Sequence, residues 1–68
     1  MELREYEVAL SQRDSLERIR AAERLIKREG GRLTLTPLDM TGLMLVTLLL
    51  PTPLTPKQFF PDIPFYPV

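Results

Sequence analysis

The chain has 68 residues, nine Lys and Arg against nine Asp and Glu, and neither Cys nor His. Those two absences exclude disulfides and thiolate or imidazole metal sites, and they remove the usual nucleophile–base pairs. A chain this short buries only about 60% of its unfolded surface and needs support, here from a partner, from its own copies or from lipid.

Zero net charge argues against a protein that coats nucleic acid. It also hides an asymmetry. Residues 1–32 hold eight of the nine basic and seven of the nine acidic side chains, while six of the seven prolines lie from Pro51 onward. Three zones follow: a charged helical head at 1–32, an apolar core or docking helix at 33–50, and an extended Pro-rich interaction arm at 51–68. Met1 is followed by an acidic amphipathic stretch, not by a basic and then an apolar region, so no signal peptide is expected. The expected location is the cytoplasm, or a particle assembled there.

Residues 2–11 fit two patterns. As a helix, Leu3, Tyr6 and Leu10 share a face, and Glu, Ala and Leu favour that state by propensity. As a strand, Tyr6, Val8 and Leu10 alternate with Glu5, Glu7 and Ala9. Helix is the preferred reading and strand stays open.

Residues 14–29 form the clearest helix. Asp14 or Ser15 serves as N-cap, Leu16, Ile19, Ala22 and Ile26 recur at helical spacing with Leu25 beside them, and Gly30–Gly31 ends the element. Lys27 and Arg28 sit where they complement the helix dipole. Arg13, Arg20, Arg24 and Lys27 cluster on the outer side. They are a candidate anion site, weighed against a solvated face interleaved with Glu17 and Glu23.

Arg32–Thr36 alternates after the Gly-Gly turn and predicts a short extended segment. Thr36-Pro37-Leu38-Asp39 then resembles a helix start, with Thr as N-cap, Pro at N1 and Asp39 at N3 as a cap in preference to a catalytic acid. From Leu43 to Leu50 only Thr47 is not apolar. The spacing predicts an apolar helix over about 37–50, weakened at Gly42 and stopped by Pro51 and Pro53. It is shorter than the roughly 20 residues a bilayer needs, so burial in protein is preferred over lipid.

The tail, PTPLTPKQFFPDIPFYPV, excludes regular helix and central strand and predicts an extended, largely polyproline II arm. Its aromatic residues suit an interface.

The fold class expected is therefore mainly α: a small, non-compact chain of two or three helices with an extended arm. The function expected is a non-enzymatic structural or assembly subunit of a larger complex, a cement, connector or minor component such as a virion carries. Protein partners would be bound by Leu43, Leu45, Val46 and Leu49 from the apolar helix and by Phe59, Phe60, Ile63, Phe65 and Tyr66 from the arm, with self-association among the outcomes. One alternative is a membrane-associated accessory subunit with residues 38–54 dipping into a bilayer. Another is a regulatory protein whose basic helix face meets nucleic acid or an acidic partner. No cofactor, metal or catalytic residue is expected, since no phosphate loop and no paired carboxylates are present.

Overall fold

Gly42 takes a φ of 71°, in the left-handed region that favours glycine, and the chain reverses there. Thr41 closes the turn. Its Oγ1 donates to the Leu38 carbonyl at 2.8 Å and accepts the Leu43 N–H at 3.1 Å. The helix expected over 37–50 is therefore a hairpin. The computed structural model describes residues 2–39 and 41–68, with Asp14 described by its backbone alone.

The elements in chain order are β1 (Leu3–Ser11), α1 (Gln12–Arg28), β2 (Arg32–Leu38), β3 (Leu43–Pro51), a single 3-10 turn (Pro56–Gln58) and β4 (Tyr66–Pro67). The strands form one sheet in the order β2-β3-β1-β4. All three pairings are antiparallel. β1 and β2 thus run the same way with β3 between them, and α1 is the crossover that joins them. Strands of 9, 7, 9 and 2 residues outweigh one helix of 17, so the mainly-α expectation is overturned. The expectation of a non-compact chain falls as well. The radius of gyration is 11.5 Å, close to the roughly 11 Å of a compact chain this long.

The apolar run is the central strand. Val8, Val46 and Leu35 share one row, as do Tyr6, Leu48 and Leu33. Side chains on a strand alternate between faces. Met44, Val46, Leu48 and Leu50 of β3 point to the face that α1 covers, and all four are buried. From α1 come Ile19, Ala22 and Ile26, also buried, the stripe that its spacing predicts. The helix begins two residues earlier than expected, with Ser11 as N-cap in place of Asp14 or Ser15. It ends as expected at the two glycines. Gly30 has a φ of 87°, and the Gly31 N–H donates to the Ile26 carbonyl at 2.9 Å. A Cβ on Gly31 would stand 2.6 Å from the Leu49 carbonyl oxygen, so the close approach of this turn to β3 requires glycine.

β1 takes the strand reading, against the helix preference. Edge-to-edge partners decide it: β3 pairs with β1 along its whole length and β4 joins on its other side. Pairing of this kind outweighs the modest helix propensity of Glu, Ala and Leu. β2 runs two residues beyond Thr36. It tolerates Pro37, which has no N–H to offer a ladder, because β2 is an edge strand.

The tail is not an extended arm. It folds back beside α1 on the same face of the sheet, and Phe60 enters the core with 1% of its surface exposed. Leu54, Phe59, Ile63 and Phe65 pack against that core, with the Phe60 and Phe65 rings 5.3 Å apart. The Thr55 N–H donates to Gln58 Oε1 at 2.8 Å, which fixes the turn that delivers Phe60. A tail that supplies a core side chain gives a small domain the burial it lacks otherwise.

An ion pair ties the tail to the helix. Both terminal nitrogens of Arg18 donate to Asp62, at 2.9 and 2.5 Å. That bidentate bond is the main cause holding the Asp62 carboxyl below its ordinary value of 3.8, aided by a backbone hydrogen bond and by the Arg18 charge, against desolvation. A carboxyl depressed in the folded state contributes stability at neutral pH, and that contribution is lost as pH falls from 3.8 through the lower folded value. The denaturation midpoint of the native chain is therefore expected to fall more steeply on acidification than that of Asp62→Asn, the two converging below the folded value. Parallel denaturation series from pH 7 to pH 2 check this. Curves offset by a constant amount would remove the ion pair from the acid response.

Candidate protein-interaction face

α1 and the tail occupy one side of the sheet and leave the other open. The rows of the open side follow from the register. Glu5, Leu49 and Arg32 form one row. Glu7, Thr47 and Thr34 form the next, with Tyr66 of β4 outside Glu7. Ala9, Leu45 and Thr36 follow, and then Ser11, Leu43 and Leu38. The Val68 N–H donates to the Glu5 carbonyl at 2.9 Å, which carries the edge one residue past β4.

Down the middle of this face runs the outward half of β3: Leu43, Leu45, Thr47 and Leu49. None of the four is buried. Leu43 is 37% exposed, and at the sheet edge Tyr66 and Val68 are 62% and 70% exposed. The accessible surface of the chain is 4957 Å², against about 4,400 Å² typical of a folded monomer of this mass.

The residues expected to meet partners thus divide. Val46 and Phe60 lie in the chain's own core, and Phe59, Ile63 and Phe65 are half-buried against it. Leu43, Leu45 and Leu49 line up on the open face, and Tyr66 lies on the same face two strands away, beyond Glu7. Sequence reasoning missed Glu5 and Arg32, which flank Leu49 on the two neighbouring strands. The alternation of Glu5 and Glu7 with Tyr6 and Val8 was a signal for β1, but only the pairing register reveals the row they share with Arg32.

The four basic residues of the candidate anion site lie on the far side of the molecule. Arg13, Arg20, Arg24 and Lys27 are exposed along the outer surface of α1, with Glu17 among them. Lys27 pairs with Glu23 at 3.6 Å. Among the described residues, the other three have no carboxylate within 4 Å. Asp39, expected to cap a helix, is an exposed residue of the β2–β3 turn. Two shallow notches lie among the described residues. One lies between the start of α1 and β2, lined by Gln12, Leu16, Leu35, Pro37 and Met44. The other sits where β4 ends, between Leu3–Tyr6 and Pro67–Val68. Neither puts a nucleophile beside a base.

Among the described residues, no three potential ligands converge on a metal position and no helix is long and apolar enough to cross a membrane. The apolar helix on which the membrane alternative stood is strand β3. Comparison of the chain with protein-family models, curated proteins and solved structures returns no match.

Proposed function

We propose that the chain is a non-enzymatic structural or assembly subunit that packs against protein neighbours through the open face of its sheet. The observation that carries this reading is the leucine row of β3. A central strand with Leu43 exposed and Leu45 and Leu49 half-exposed on its open side, in a chain that commits its helix and its tail to the opposite side, leaves an apolar stripe for another protein to cover. Charged side chains flank that stripe on the neighbouring strands, Arg32 on β2 and Glu5 and Glu7 on β1, and can orient a partner on it. Absence of His and Cys, and the exposure of Glu2, Glu5, Glu17, Glu29, Asp39 and Asp62, support the non-enzymatic part of the reading. The assembly would be one in which a small, rigid plate serves as a cement or connector.

In a gentle extract of cells expressing the chain, the wild type is expected to migrate well above its monomer mass of 7.9 kDa. Leu45→Lys is expected to migrate at that mass, because a charge at the centre of an apolar contact is costly to desolvate. Native electrophoresis or size exclusion with immunodetection reads the difference. A wild type that runs as the monomer, or a Leu45→Lys variant that stays in the large species, would overturn the proposal.

A further inference from the structure

The geometry points to a second copy of this chain as the occupant of the open face, packed across a two-fold axis that runs parallel to β3. The inference rests on the reading of this face as an interaction surface and names its partner. Charge and register select this partner. Glu5 on β1 and Arg32 on β2 occupy the same row, on opposite sides of Leu49. Both are exposed, and among the described residues neither has an opposite charge within 4 Å. Within one chain they are two strand spacings apart, about 10 Å, and β3 separates them.

A two-fold axis along β3 lays β1 of one copy over β2 of the other and keeps each row at its own level. Glu5 then meets Arg32 of the second copy, and the symmetry produces the same pair again on the other side. Glu7 meets Thr34, a carboxylate over a hydroxyl. Along the axis Leu43, Leu45, Thr47 and Leu49 each face their own counterpart. The alternative two-fold, across the strands, would lay β1 over β1 and set Glu5 against Ser11, without these charge pairs. The arrangement resembles the aligned packing of sheets in a β-sandwich, in which facing strands lie within about 30° of each other.

The area suits a weak association. β4 has no counterpart across this axis, so the overlap is β2, β3 and β1. Three strands about 4.8 Å apart, rising about 3.3 Å per residue over the nine residues of β3, overlap over roughly 430 Å². Two such faces bury about 860 Å², the size of a transient contact. The contact would be of modest affinity and would leave both α1 helices, with Arg13, Arg20 and Arg24, on the outside of the pair.

The test uses the purified full-length chain in sedimentation equilibrium over micromolar to submillimolar concentrations, with circular dichroism to show that each variant is folded. A reversible dimer of twice the 7.9 kDa chain mass is expected. Glu5→Arg and Arg32→Glu each set like charges against one another in both symmetric pairs and are expected to raise the dissociation constant about tenfold or more. Combining the two reversals in one chain is expected to restore dimerisation, and so is mixing E5R with R32E. A wild type that is monomeric throughout would overturn the dimer. If that monomer is nevertheless drawn into a larger species that Leu45→Lys abolishes in the extract experiment, the dimer fails and the assembly reading stands. A dimer that the single reversals leave intact, or that the double reversal leaves weak, would overturn the two-fold arrangement.

Discussion

Phe60→Ala is expected to destabilise the chain by about 3–5 kcal/mol, a loss comparable with the whole stability of a domain this small. The residue lies in the tail, nine positions beyond the end of the central strand. In an extended arm its truncation would leave the fold untouched and weaken only binding. In the structure its ring is 1% exposed and joins Ile19, Ile26, Leu48 and Leu50 among the fully buried side chains. The turn at Pro56–Gln58 and the Arg18–Asp62 pair bring it there. Phe59, its neighbour, is only half-buried, so Phe59→Ala is expected to cost clearly less. Urea denaturation followed by circular dichroism distinguishes the two. Equal midpoints for Phe60→Ala and the wild type would return the tail to the role of a loose arm.

The helix was legible because its signals agree: a stripe at Ile19, Ala22 and Ile26, basic residues in the last turn and two glycines behind it. β2 was legible because its alternation follows a Gly-Gly turn. β3 was not, and the reason is physical. A strand whose inner face is core and whose outer face is also apolar loses the period-2 signature, and Leu and Met are better helix formers than strand formers. The signals around it also pointed the wrong way. Thr36-Pro37 resembles a helix start, but Pro37 suits an edge strand equally well. Gly42 resembles a weak point in a helix, but its positive φ makes it the turn residue of a hairpin. The prolines of the tail obscured Phe60, since composition suggests an open arm and only packing shows a core residue. The open face was legible in part: Leu43, Leu45, Leu49 and Tyr66 could be singled out as large apolar residues in search of contacts. Their separation from Val46 and Phe60, and the row that joins Glu5 to Arg32, exist only once the register is known.

The run Leu43–Leu50 is a strand with two different jobs on its two sides. Adjacent positions should therefore respond in opposite ways. Leu48 is 0% exposed, and an unpaired ammonium there costs several kcal/mol. Leu49, one residue on, faces the open side, where a lysine can lie along the surface with its charge in water. The most direct test measures the thermal transition and the solution mass of Leu48→Lys and Leu49→Lys side by side. Leu48→Lys is expected to lose the cooperative transition. Leu49→Lys is expected to keep its midpoint within about 1 kcal/mol of the wild type while losing association. Two variants that both unfold, or a Leu49→Lys that unfolds while Leu48→Lys stays folded, would contradict the two-sided strand on which the fold and the proposed function both stand.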